Sequence, residues 1–97
     1  MEEALRALAN PRRRAMLSLV WDEERTATEI ADRAELSKPA ASQHLKVLRD
    51  AGLVHVRVEG NRRYYRSDPA RVAELRHALE EFWGGRLDTM RDELESK

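Results

Sequence analysis

Two groups of side chains in this chain could act on another molecule, and they point to different chemistries. The first is the three histidines, His44, His55 and His77. They fall on three separate predicted elements, and none has a nucleophile or carboxylate at a spacing that would build a triad or a hydrolytic metal site. The chain has no cysteine, hence no thiolate nucleophile, no thiolate metal ligand and no disulfide. It also lacks a glycine-rich phosphate loop. The sequence therefore argues against an enzyme and calls for no cofactor. The second group is Ser37, Lys38, Pro39, Ser42, Gln43, His44 and Lys46, joined downstream by Asn61, Arg62 and Arg63. Amide, hydroxyl and cationic groups of this kind hydrogen-bond base edges and phosphate oxygens.

The stretch Ser37 to Gly52 must position most of that second group. Ser37 can accept from the free N–H groups of a first helical turn, Pro39 sits where a missing N–H costs nothing, and Gly52 follows as a left-handed stop. Ala41, Leu45 and Leu48 recur at helical spacing and form one apolar stripe. Pro39, Ser42, Gln43 and Lys46 are left on the opposite face, with no carboxylate before Asp50. An ordinary surface helix short of acids would look the same, so the neighbouring segments decide. Upstream, Thr26 to Glu29 forms a capping box that opens a helix over about 27–34, anchored by Ile30. Helix, short turn, helix is a helix-turn-helix layout, although no glycine marks this turn.

Downstream the apolar period changes from 3.6 to 2. Val54, Val56 and Val58 share one face of a strand, and His55 and Arg57 share the other. Gly60-Asn61 reads as a turn, and residues 62–67 as the return strand. Arginines on a hairpin tip can track a phosphate backbone, or they can serve as a solvated edge that discourages aggregation. Adjacency to the basic helix favours the first, which makes the hairpin a wing.

The remaining segments read as scaffold. Residues 2–9 and 11–21 are two short helices, with Leu5 and Leu8 as the apolar edge of the first and Met16, Leu17 and Val20 buried by the second. Asp22 to Arg25 reads as a polar turn. Arg12, Arg13 and Arg14 crowd the first turn of the second helix against the dipole preference, and an intramolecular ion pair is the favoured reading for Arg13. From Asp68-Pro69 a last helix carries Val72, Leu75, Leu79 and Phe82, then a shifted stripe of Trp83, Leu87, Met90 and Leu94. Gly84-Gly85 lies at the shift, so this segment is one kinked helix or two. Its stripe can pair with a second copy of the chain, pack over the first helix, or do both.

Composition sets the outer limits. At 97 residues the chain reads as one domain over 1–97, charge-rich and with an aliphatic core. No apolar run approaches a membrane span and no signal peptide is visible, so a cytoplasmic place without membrane contact is expected. The formal net charge is zero, but it is unevenly spread. Residues 37–66 hold seven Lys and Arg against two Asp and Glu, while both flanking thirds are net acidic.

This order of elements, together with Leu5 to Leu17, Leu36 to Val54 and Glu59 to Arg66, resembles the ArsR-type winged helix-turn-helix transcription regulators. Phe82 to Asp88 is similar to a subgroup with a long C-terminal dimer helix. The resemblance implies a fold that is mainly α with a small β-hairpin. Helices at 1–21 and 69–95 would serve a homodimer, 27–51 would be the helix-turn-helix, and 53–67 the wing. It implies a sequence-specific repressor on a pseudo-palindromic operator in double-stranded DNA, with room for a small-molecule effector that the sequence does not identify. Ser37, Lys38, Pro39, Ser42, Gln43 and His44 would lie on or near the groove, Lys46 toward phosphate, and Asn61, Arg62 and Arg63 at the wing tip. Leu5, Leu8, Leu75, Leu79, Phe82, Trp83, Leu87 and Met90 would serve the dimer. Relatives that sense metals carry paired cysteines where this chain has Thr26 and Thr28, and hydroxyls do not replace thiolates for soft ions. His77, with Glu74 and Glu81, lacks a second histidine at ligand spacing, so no metal is expected. The competing reading is a winged-helix adaptor that binds only protein.

Overall fold

The structure is a computed structural model, and it describes residues 2–81. Along the chain run α1 (Glu2–Leu8), α2 (Pro11–Leu19), β1 (Arg25–Thr26), α3 (Ala27–Arg33), α4 (Lys38–Asp50), β2 (Val54–Glu59) and β3 (Arg62–Ser67). A further helix, α5, occupies residues 69–81. The questions raised by Gly84-Gly85 and the second apolar stripe fall outside the described residues.

Four of the five described helices, α2 to α5, start where a side-chain oxygen meets free N–H groups. Asn10 Oδ1 accepts from Arg12 N at 2.8 Å, Thr26 Oγ1 from Glu29 N at 3.2 Å, Ser37 Oγ from Ala40 N at 3.2 Å, and Asp68 Oδ1 from Arg71 N at 3.2 Å. Such caps are each worth about 1 kcal/mol. The two helices of the helix-turn-helix also end alike. After α3, Leu36 N reaches Ala31 O at 2.9 Å, and after α4, Leu53 N reaches Leu48 O at 2.9 Å. Both are Schellman closures, which need a left-handed residue at the turn. Gly52 supplies it after α4 (φ 77°), and Glu35 supplies it after α3 (φ 57°). The missing glycine of the turn is thus replaced by a strained glutamate, not by a different turn.

The arginines of α2 are a correction to the sequence reading. Among the described residues Arg13 makes no ion pair. Its Nε donates to Ala7 O at 2.6 Å and its Nη2 to Arg6 O at 3.2 Å, while Arg14 Nη1 donates to Leu8 O at 2.8 Å. These cations sit at the start of α2 but at the end of α1, where orphan carbonyls and a negative dipole end attract them. Arg25 treats α2 the same way, with Nε 2.7 Å from Leu19 O.

The sheet has three antiparallel strands in the order β1-β3-β2, one more than the hairpin alone. β1 pairs Arg25 with Tyr65 and Thr26 with Tyr64. Two polar residues carry no alternation, which is why the segment read as part of a turn. The β2–β3 turn is well matched to its residues: Gly60 has φ 62° and Asn61 does not take positive φ, the pattern of a type II′ turn.

The core gathers Met16, Val20, Ile30, Leu45, Leu48 and Leu53, all fully buried. On α1 the inward residues are Ala4 and Ala7, both at 0% exposure, so the helix approaches closely; Leu5 is 43% exposed and Leu8 is half-buried. Leu75 anchors α5 in the same core. The two left-handed positions make a paired prediction. Gly52→Ala should destabilise by about 1–2 kcal/mol, since its Cβ would also meet Arg71 Nε at 3.4 Å. Glu35→Gly should be neutral or stabilising by up to about 1 kcal/mol. Urea unfolding of both variants checks this, and equal losses would contradict the strain assigned to Glu35.

Candidate nucleic-acid interface

Burial of one stripe sets the direction of everything else on α4. Ala41, Leu45 and Leu48 are buried to within 1% of complete. Ser37, Lys38, Pro39, Ser42, Gln43 and Lys46 are consequently all exposed. Pro39, Ser42, Gln43 and Lys46 stand opposite the buried stripe, as the spacing predicts, and Ser37 and Lys38 are exposed at the helix start.

His44 does not join them. It is half-buried, and burial together with the nearby Arg13 and Arg12 guanidinium groups pushes its pKa below the ordinary 6.5. A histidine turned toward two cations stays neutral near neutral pH. Its half-buried position sets it apart from the six exposed residues of the row.

The hairpin splits the two tip arginines that the sequence treated as a pair. Side chains alternate along a strand. Val54, Val56, Val58, Arg63, Tyr65 and Ser67 are mutual register partners, and the buried Val54, Tyr65 and Ser67 mark their face as the inner one. Arg63 is therefore on the side that faces the body of the protein and α4. Arg62 and Asn61 are exposed, with Arg62 on the outer side. Val58 is 64% exposed, because the inner face outruns the core toward the tip.

Arg57 is a residue the sequence reading did not single out as part of the site. Its Nε lies 2.9 Å from Glu24 Oε2 and its Nη1 2.6 Å from Glu59 Oε2, and its guanidinium carbon stacks 4.5 Å from the Tyr64 ring centroid. The contact with Glu24 ties the outer face of the hairpin to the segment before β1. The hydrogen bonds to both carboxylates raise the Arg57 pKa, and Arg57 in turn holds Glu59 below the usual carboxylate range. At the base of the hairpin, Ser67 Oγ donates to Trp21 O at 2.9 Å, and His55 Nε2 lies 3.0 Å from Asp68 Oδ2. No periodicity reports contacts between residues this far apart in sequence.

The cations thus sort into two sets. Arg13, Arg14, Arg25, Arg57 and Arg76 are held by carbonyls or carboxylates. Among the described residues, Lys38, Lys46, Arg62 and Arg63 make no hydrogen bond through their side chains and no ion pair within 4.0 Å. Arg6, Arg12, Arg33 and Arg66 are equally uncommitted among the described residues, so five of these eight cations lie on α4 and the hairpin and three on α1, α2 and α3.

Comparison with known proteins shows the family. A helix-turn-helix domain family model matches residues 8–57. The chain is 43% identical over 82 residues to the HTH-type transcriptional regulator Rv2034 of Mycobacterium tuberculosis, covering 84% of this chain and 77% of that protein. It superposes with a TM-score of 0.81 and 40% identity on a crystal structure of a "possible transcriptional regulator for arsenical resistance", over 94% of this chain and 95% of that one. A third match is the solution structure of a homodimeric winged helix-turn-helix DNA-binding domain from Mycobacterium bovis, described as a possible ArsR-family regulator. Its TM-score is 0.71 at 35% identity, over 86% of this chain and 77% of that one. The chain belongs to the ArsR-type winged helix-turn-helix regulators. It is a DNA-binding transcriptional regulator, and its fold is the winged helix-turn-helix.

The residues named for a dimer divide four ways. Leu5 is open, Leu8 and Leu79 are half-buried against the chain's own core, and Leu75 lies within that core at 4% exposure. Phe82, Trp83, Leu87 and Met90 fall outside the described residues. As for metals, Thr26 is occupied as a helix cap and His77 Nε2 lies 3.1 Å from Glu81 Oε1. Among the described residues no group of three His, Cys, Asp or Glu side chains could hold an ion, and none of the described helices is long and apolar enough to cross a membrane.

His44 gives a pH prediction. Its folded pKa lies below its unfolded value, so the unfolded chain binds the proton first as pH falls. The stability it contributes is present above pH 6.5 and is lost as pH drops through the lower folded value. Urea midpoints taken from neutral pH down to about pH 5 should fall less steeply for His44→Gln than for the parent. Parallel slopes would contradict the placement of His44.

Proposed function

We propose that this regulator works as a homodimer that represses transcription from a pseudo-palindromic operator. Each α4 would enter a major groove, and each hairpin would lie against the flanking backbone. The observation that carries the reading is the open row on α4, where hydroxyl, amide and uncommitted cationic groups stand together because the opposite stripe is buried. Gln43 suits bidentate recognition of adenine, Lys38 suits guanine, and Ser42 can serve either. Ser37 and Pro39 would fix the helix entry close to the bases. Lys46, Asn61, Arg62 and Arg63 would meet phosphate or the minor groove.

The dimer would use the exposed Leu5 and half-buried Leu8 of α1, with Leu79 of α5 and the apolar residues beyond it. The homodimeric solution structure of the M. bovis neighbour supports this arrangement. Two recognition helices related by a two-fold axis would then sit about 34–36 Å apart, one turn of B-DNA. The protein would act in the cytoplasm, without catalysis and without a metal. The absence of cysteine removes every thiolate site, and Thr26 and Thr28 offer only hydroxyl oxygens in its place.

Two substitutions test the assignment by their different signatures. Gln43→Ala should relax preference at one base position by about 1–3 kcal/mol. Arg62→Ala should weaken all sequences alike and flatten the salt dependence by about one unit of slope. Selection from a randomised duplex pool, followed by gel shifts, reads both. Parental behaviour in both variants would overturn the proposed groove face. Zinc, nickel or arsenite added to the same gel shift should leave the affinity unchanged; a loss reversed by chelator would show a metal site.

A further inference from the structure

The groove between α4 and the inner face of the hairpin has a composition unlike the other surfaces of the molecule. It is a cleft of about 370 Å³, lined on one wall by Ser42, Lys46 and Arg49 and on the other by Arg63 and Tyr65. The three residues of the first wall follow at i, i+4 and i+7, a single stripe of α4 lying beside the buried one. Arg63 reaches the same cleft because it shares the inner face with Tyr65. Three cations therefore converge from two elements, and no carboxylate lines the space between them. Arg49 approaches Asp50 only at 4.0 Å, with both side chains about half exposed. Glu29 lines a separate cleft between the start of α3 and the hairpin tip, and Asp68 lines a neighbouring one that Arg49 and Arg63 also border.

Three cationic groups that line one cleft, with only Asp50 at 4.0 Å from Arg49 and outside the cleft as a counter-charge, repel one another, and an anion relieves that repulsion. Ser42, Lys46, Arg49 and Arg63 are exposed, while Leu45 and Tyr65, which also line the cleft, are buried, so an anion can reach the cations from solvent. The flat guanidinium fork suits the two free oxygens of a phosphodiester. We propose that this cleft holds one backbone phosphate of the duplex, clamped jointly by Lys46 and Arg49 of α4 and Arg63 of the hairpin. The inference rests on the DNA-binding reading and adds Arg49 to it as a contact to the backbone. It also divides α4 by function. Lys38, Ser42 and Gln43 at the N-terminal end face the bases, and Lys46 and Arg49 at the C-terminal end hold the strand that borders the groove. Because both elements grip one phosphate, the clamp sets the distance between recognition helix and hairpin on the DNA.

The test uses the full chain and a fluorescein-labelled duplex of arbitrary sequence, with affinity read by anisotropy between about 50 and 200 mM salt. Arg49→Gln should weaken binding about 3- to 10-fold and flatten the slope of log affinity against log salt by up to about 0.9. The double variant Arg49→Gln/Arg63→Gln should lose clearly less than the product of the two single losses, because both act on one phosphate. Arg76→Gln, which removes a cation from the far side of the protein, should match the parent. A parental slope for Arg49→Gln, an Arg76→Gln loss of equal size, or strictly multiplicative losses in the double variant would overturn the shared clamp. Absence of salt-dependent binding by the parent would instead remove the DNA reading itself. Circular dichroism melting of each variant separates these outcomes from unfolding.

Discussion

A helix with one apolar stripe can hide only that stripe. Ala41, Leu45 and Leu48 close the centre of this molecule against Met16, Val20 and Ile30, and each of the six has 1% exposure or less. Rotating α4 to bury Ser42, Gln43 and Lys46 would strand polar and charged groups away from water and expose two leucines, at a cost of several kcal/mol. The direction of the open face is therefore a consequence of core packing. The N-terminal Ser37 cap and the Schellman closure at Gly52 fix where the helix begins and ends along that direction. The DNA-facing chemistry is rigid because the core behind it is.

Charge gives the second level of order. Overall neutrality conceals a division of labour among the arginines. Those of α2 and the β1 segment complete helix ends, where carbonyl groups lack intrahelical donors. Arg57 joins Glu24, Glu59 and the Tyr64 ring into one pin across the outer face of the hairpin. Exposed pairs of this kind add little stability, and the value of this one is geometric: it links a hairpin arm to the body at a residue far away in sequence. Of the eight described cations without a side-chain partner, five lie on α4 and the hairpin and three on α1, α2 and α3, so a neutral protein still gathers most of its free positive charge on the helix and the hairpin.

Much of this was legible from residue order. Periodicity located α4 and its outward row, and the capping residues Asn10, Thr26, Ser37 and Asp68 all do what their types suggest. The hairpin followed from alternation and a Gly-Asn turn. Three things were not legible. β1 consists of Arg25 and Thr26 alone, too short to alternate, and exists because β3 offers it a partner. The roles of Arg13 and Arg14 depend on the end of α1 folding back over them, which a one-dimensional pattern does not contain. Arg62 and Arg63 look equivalent as neighbours in sequence, and strand register sends them to opposite faces.

In the proposed complex, the outward row of α4 and the neighbouring hairpin tip form the surface that meets DNA. Backbone amide chemical shifts of the isotope-labelled chain, followed as a short duplex is added at low salt, test it most directly. The account predicts shifts and broadening concentrated at residues 37–46 and 58–63, with α2 and α5 left almost unchanged. Changes centred on α2 or α5, with residues 37–46 unperturbed, would contradict it.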